Sequence, residues 1–254
     1  MSNAWLLIFP LINVVVTALF AGTILRQYAQ RHRIYQLFWS VALSMGFLGT
    51  LAYVLMVAAG PTSGAGVVFF RLYYILGAGL TPSWLGMGSV ALVASKRVRN
   101  ICLAVLCVLS VLAIIFIGMA GIDMQQLGRV AGTPGTSILL PAFGAWTLTI
   151  IIANTLGVLA VVGVALYSAW KLLRRQATVA GFHAGNLFWA NILIVVGDLL
   201  NGLAGATARV FGNGFWLIMA LGWIIFFGGV LLTSAARSRK PAPETKQAME
   251  PGQA

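Results

Sequence analysis

Seven separate apolar stretches, each long enough to cross a lipid bilayer, constrain this chain more than any other feature. A hydrocarbon core of roughly 30 Å takes about 20 residues of helix at about 1.5 Å each. The stretches are Trp5–Leu25, Ile34–Ala58, Val67–Ala94, Ile101–Ala120, Ala145–Trp170, Ala184–Ala206 and Gly214–Ala235. Composition agrees: 60% of the 254 residues are hydrophobic, 8% are charged and the mean hydropathy is +0.96. A soluble domain carries about a quarter charged residues, so that class is excluded. A disulfide-stapled secreted module is excluded by a cysteine count of two. The ten-residue polar–apolar alternation of a membrane β-barrel is absent from the sequence. The expected fold is an all-α bundle of seven membrane-spanning helices. The first stretch has neither a basic leading region nor a small-residue cleavage site, and reads as a retained helix.

The net charge of +12 is explained by where the basic residues fall. Arg26, Arg31 and Arg33 follow the first span, and Lys96, Arg97 and Arg99 follow the third. Lys171, Arg174 and Arg175 follow the fifth; Arg237, Arg239, Lys240 and Lys246 follow the seventh. Only Arg71, Arg129 and Arg209 are left for the other side. Lys and Arg are retained in the cytoplasm, so the N-terminus is expected outside and the C-terminus inside the cytoplasmic membrane. The expected partners are the bilayer itself, with anionic head groups at its cytoplasmic face, and no nucleic acid, because no folded basic domain exists to bind one. Residues 1–236 form one transmembrane domain. Residues 237–254, with Pro241, Pro243 and Pro251, read as a disordered cytoplasmic tail.

The pattern admits a 3+1+3 parallel repeat. Asn13 and Asn154 sit at similar distances from the outer ends of spans one and five. Leu37-Phe38-Trp39 opens span two as Leu187-Phe188-Trp189 opens span six, and Leu76-Gly77 in span three matches Leu221-Gly222 in span seven. Narrow composition generates such coincidences as well. Span three is longer than a bilayer requires and holds Gly77, Gly79, Pro82, Gly86 and Gly88. It reads as a tilted, kinked packing helix, with a broken helix lining a cavity as the alternative. Span six carries Gly197, Asn201 and Gly205 on one stripe beside Asp198, Gly202 and Ala206, spacing that brings a helix hard against a neighbour. The connection Gly121–Gly144 reads as an unstructured connector, with a lid over the outer mouth as the alternative. Trp5, Trp84, Trp146 and Trp216 are expected to anchor at the interface.

Asp198 is the one acid inside any span, and an intramembrane carboxylate is a functional hypothesis by default. Counting about 1.5 Å per residue puts Asp198, Asn13, Thr50, Asn154 and Trp223 at roughly 12–14 Å from the outer ends of their spans. Arg71, flanked by Tyr73 and Tyr74, is long enough to extend toward Asp198. The candidate ligand-binding set is therefore Asp198, Arg71, Asn13, Asn154, Asn201, Tyr74 and Trp223. Asn191, Asn186 and His183 continue polar character inward along span six. Structurally, such a layer ties helices together; functionally, it binds a small polar solute or ion, or relays a proton.

Other chemistry is poorly supplied. His32 and His183 lie at the inner ends of their helices, so haem, zinc and di-iron sites lack ligands. Cys102 and Cys107 fall on different faces of span four and read as buried thiols. Nucleophile motifs and H-E-x-x-H are missing, so no enzyme, no catalytic residue, no metal and no cofactor are expected. The topology is similar to that of microbial rhodopsins and of the SWEET class of sugar transporters, but in outline alone. The seventh span has no lysine for a retinal Schiff base, and the proline-glutamine dipeptide associated with SWEET repeats is absent. The function expected is binding and transport of a small polar solute or ion through an outward-facing polar layer. Its alternative is a non-catalytic scaffold, sensor or accessory subunit acting through a membrane protein partner.

Overall fold

The structure is a computed structural model and describes residues 6–176, 182–211 and 214–238. Of the positions singled out above, Trp5, residues 239–254 of the tail and the side chains of Arg175, His183, Arg209 and Arg237 lie outside what is described. Seven long helices stand among the described residues: α1 (Ile8–Arg31), α2 (Ile34–Ala59), α3 (Gly64–Val93), α4 (Lys96–Met119), α5 (Ala145–Gln176), α6 (Phe182–Phe211) and α7 (Phe215–Ser238). All seven have the length and apolarity to cross a membrane, so this is a multi-pass integral membrane protein in contact with lipid.

The helices pack in a closed order, α1–α2–α3–α5–α6–α7, with α7 returning to α1. The fourth helix stands outside this ring on the seam between α3 and α5. Its only buried side chains are Leu106, Ala113 and Ile117, while Val105, Val108, Val111, Ile114 and Ile115 face outward. Lipid tails are as apolar as leucine, so helix association here depends on close packing and interhelical hydrogen bonds. The tightest approaches use glycine. A Cβ on Gly157 of α5 would run into the Pro82 carbonyl of α3. A Cβ on Gly197 of α6 would lie 2.5 Å from the Phe226 nitrogen and 2.7 Å from the Gly222 oxygen of α7. The expected small-residue stripe of span six is thus half used, because Gly205 and Ala206 lie open on the surface.

Span three is continuous and is not broken. Its middle, Tyr74–Leu80, is wound as a π-helix and is followed by Pro82 in the first turn of the α-helical remainder. Proline donates no N–H and so frees the carbonyl four residues earlier, that of Ala78. Asn154 of α5 donates its Nδ2 to that carbonyl at 2.9 Å. The Leu76 carbonyl is met by both the backbone N–H and the hydroxyl of Thr81, the latter at 2.7 Å. The freed groups therefore face other side chains rather than a cavity.

The connection Gly121–Gly144 is ordered, against the unstructured reading. Gly121–Ile122 (β1) pairs antiparallel with Leu139–Leu140 (β2), and a one-turn helix, Met124–Leu127, sits between them. Leu127, Val130, Ile138 and Leu139 are all buried at 2% exposure or less. An apolar face of that size has to cover something, and what it covers is the mouth of the bundle. Three tyrosines from below hold it: the hydroxyls of Tyr53, Tyr73 and Tyr74 donate to the carbonyls of Val130, Pro134 and Gly135 at 3.0–3.2 Å. The segment is a lid. Asp123 accepts hydrogen bonds from the N–H groups of Gln125 and Gln126 at the start of the lid helix. Those bonds, led by the one from Gln126, hold its carboxyl below the usual carboxylate range. The two ends of the bundle are named below the lid end and the basic end.

Candidate functional site: a polar layer between two apolar clusters

The buried apolar side chains divide into two large clusters stacked along the bundle. The lid-end cluster holds Tyr53, Tyr73, Tyr74, Trp146, Phe215 and Trp216 with the lid's own leucines and isoleucines. The basic-end cluster holds Phe20, Trp39, Leu43, Leu85, Trp223 and Phe226. Helices α2, α3, α5, α6 and α7 contribute to both, and on every ring helix but α7 polar residues fall at the level between them. On α6, Ile194 and Val195 belong to one cluster and Ala204 and Ala208 to the other; Asp198 and Asn201 fall between. On α1 the intervening buried residues are Asn13 and Thr17, on α2 Thr50 and on α3 Thr81 and Ser83, while α5 contributes the half-buried Asn154.

Asp198 is 4% exposed, so its side chain is turned into the bundle and away from lipid. Its Oδ2 is buried and makes no hydrogen bond, and the same holds for Oδ1 and Nδ2 of Asn201, one turn along the same helix. Asn201 lies directly against Gly222 of α7. Asn13 is fully buried and donates Nδ2 to the carbonyls of Phe9 and Trp216, both at 2.9 Å. That leaves its Oδ1 without a partner, as is Oδ1 of Asn154. These four residues share a level of the bundle, but no hydrogen bond joins any two of them among the described residues.

The other three candidates lie elsewhere. Arg71 does not extend toward Asp198. Its guanidinium caps the end of α4, donating to the carbonyls of Ile117 and Gly118 at 2.6 Å and Ala120 at 3.0 Å. A helix C-terminus offers unpaired carbonyls and a partial negative charge, and Arg71 starts nearer to that end than to Asp198. Tyr74 belongs to the roof of the layer, through its bond to the lid. Trp223 belongs to the floor, where its ring stacks on Phe226 at 6.2 Å and meets Phe20 edge-on at 6.3 Å. The tryptophans expected at the interface also move: Trp146 and Trp216 are 5% and 1% exposed and sit in the lid-end cluster. Trp84 donates to Ser110 of α4 from within the bundle. Hydropathy windows treat tryptophan alike in both settings, and only packing separates them.

Sequence reasoning overlooked a second polar group at the basic end. Gln36, 1% exposed, donates to Gln27, which donates in turn to Ser234, tying α2, α1 and α7 together. A glutamine in the first turn of a span reads as solvated, so nothing in the sequence marked it. Asn191 donates to the Leu187 carbonyl one turn back on its own helix, and Asn186 lies exposed. Neither extends the layer inward.

Among the described residues, one surface cavity of about 290 Å³ lies on α4 along Cys107, Val108 and Val111, and another of about 220 Å³ lies on the lid between Arg129, Thr133 and Ser137. Neither is lined by a residue of the polar layer. Among the described residues no group of three His, Cys, Asp or Glu side chains converges as a metal centre. Comparison with known protein families, with curated proteins and with solved structures gives no match.

Proposed function

We propose that this protein binds a small polar solute or ion in the layer around Asp198 and carries it across the cytoplasmic membrane, the structure representing an occluded arrangement. One observation carries the reading: a buried carboxylate oxygen with no partner, in a layer to which five helices contribute polar side chains. A buried charge without a partner costs several kcal/mol, and a membrane interior offers no bulk water to offset it. A purely structural layer would close its hydrogen bonds internally. This one leaves them open.

The proposed orientation puts the lid end outside and the basic end in the cytoplasm, where its arginines and lysines meet anionic head groups. In this orientation the lid seals the layer from outside, and Phe20, Trp223 and Phe226 seal it from inside. The proposed parallel repeat supplies two bodies able to rock against each other, α1–α3 and α5–α7, with α4 as the external linker. Two pairs of contacts support it. Asn13 on the first helix of one triplet donates to a carbonyl on the third helix of the other, and Asn154 does the same in return. Gly77 meets Gly49 of α2 as Gly222 meets Gly197 of α6, so each Leu-Gly pair faces the second helix of its own triplet. No catalytic role is proposed for any residue.

The competing reading, a scaffold or sensor subunit, calls for a lipid-facing stripe of small residues. The outward faces of α4 and α5 instead carry bulky Val, Leu and Ile side chains suited to lipid, and on α6 the open Gly205 and Ala206 stand beside exposed Leu199 and Leu203. The deciding experiment reconstitutes the protein in proteoliposomes on a solid support and records charge displacement on rapid addition of NaCl, KCl, glycine or sodium succinate. At least one addition should give a transient current, and Asp198→Asn should abolish it with folding intact. A variant whose currents equal those of the wild type removes the carboxylate from the mechanism.

A further inference from the structure

We infer that the occupant of the layer is a monovalent inorganic cation, held by the carboxylate of Asp198 together with the amide oxygen of Asn201. This rests on the layer being a binding site and goes further by naming the class of ligand, from a census of donors and acceptors.

Every hydroxyl proton in the layer is already committed to backbone. Thr17 donates to the Asn13 carbonyl at 2.6 Å, Thr50 to Gly46 at 2.9 Å, Thr81 to Leu76 at 2.7 Å and Ser83 to Leu80 at 2.9 Å. Asn13 gives both of its amide protons to backbone carbonyls and Asn154 gives one, to Ala78, which fixes their orientation and leaves their oxygens without partners. What remains open is mostly oxygen: Oδ1 of Asn13, Asn154 and Asn201 and Oδ2 of Asp198, each with two lone pairs, against the two amide protons of Asn201 and the second amide proton of Asn154. The unclaimed indole N–H of Trp216 belongs to the roof. An excess of acceptors is completed by an occupant that brings positive charge, whereas a neutral sugar or an anion would bring lone pairs of its own.

Charge fixes the valence. Asp198 is the only acid in the spans, and the one arginine able to neutralise it is bound to the end of α4. One carboxylate balances one positive charge. Divalent calcium and magnesium sites use several carboxylates, and transition metals use His or Cys; the described residues group neither set. Hard monovalent cations accept carboxylate and amide oxygens. Asp198 and Asn201 are three residues apart on one helix and so share a face. Asn201 stands where α6 packs against α7, and the absence of a side chain at Gly222 leaves room for its amide, while Gly202, one turn beyond Asp198, meets Val158 of α5.

The test treats the full-length protein in nanodiscs with a hydrophobic carbodiimide, which modifies membrane carboxyls, and follows the mass shift on the peptide containing Asp198. Labelling is timed in NaCl, KCl and LiCl and in N-methyl-D-glucamine chloride at equal ionic strength, the last also with added glycine or N-methyl-D-glucamine succinate. Since only the empty site reacts, a cation at about ten times its Kd slows modification about tenfold. A saturable slowing by one alkali cation supports the inference. Equal rates in all four salts overturn it. Slowing by glycine or succinate alone overturns the cation but keeps a solute site at Asp198. The thermal midpoint of the wild-type protein is measured in the same salts, because binding to the native state raises it whether or not the reagent gains access. A cation-specific rise that disappears in Asp198→Asn supports the site; a wild-type midpoint indifferent to all alkali cations overturns it.

Discussion

Asn154 shows most clearly how one residue serves both architecture and site. Its amide proton repairs the backbone defect that Pro82 creates at the Ala78 carbonyl, and its oxygen is thereby turned toward the polar layer. Neither role can be separated from the other by burial alone. Asn154→Ala leaves the carbonyl without a donor, which costs about 1–3 kcal/mol for a buried acceptor, with membrane hydrogen bonds toward the low end of that range. The expected result is a lower unfolding midpoint in detergent; a variant as stable as the wild type would mean that the π-wound segment satisfies its own backbone. Asp198 differs in kind. Replacing an unpartnered buried carboxylate by a neutral isostere removes a desolvation cost and leaves every described hydrogen bond in place. Asp198→Asn should therefore be at least as stable as the wild type in cation-free buffer while losing function. Stability and activity moving in opposite directions is the mark of a residue kept for chemistry.

At the level of elements, the proposed transport reading makes the lid the barrier between the layer and its side of the membrane. Three tyrosine hydroxyls on α2 and α3 hold it, each hydrogen bond contributing about 0.5–1.5 kcal/mol. Tyr53→Phe, Tyr73→Phe and Tyr74→Phe combined keep the aromatic packing and remove only the hooks. Hydrogen exchange across residues 121–144 should then accelerate, with α2 and α3 unchanged; unaltered exchange would assign the lid's closure to its apolar face alone. The lid also has a pH dependence of its own. The Asp123 carboxyl titrates below its unfolded value, so its contribution to lid stability is present above that unfolded value and is lost as pH falls through the lower folded one. Exchange of the lid helix should rise in that acidic window. Asp123→Asn, which still caps the helix, should remove the dependence. The capping of α4 by Arg71 fixes the point where the chain enters the lid, tying the fourth helix to the same closure.

For the whole molecule, the proposed orientation is open to a direct measurement. In a cysteine-free background, Ser137→Cys on the lid should react with a membrane-impermeant maleimide added to intact cells, and Gln30→Cys at the basic end should react only after lysis. The reverse pattern would invert the protein and with it the side from which the lid seals the layer. Sequence alone determined that the chain forms seven membrane helices, because a bilayer sets both the length and the apolarity that a span must have. It also drew attention to Asp198 and to Asn13 and Asn154, since a polar side chain in hydrocarbon is costly wherever it points. Which way each side chain points was decided by tertiary packing. Arg71 could reach in either direction by length, and the unpaired carbonyls of α4 claimed it. The segment from Gly121 to Gly144 has no period to read, yet its few apolar residues fold once a ring of tyrosines gives them a surface. Order along one helix is written locally, whereas the layer exists because two apolar clusters, drawn from residues far apart in the chain, close above and below it.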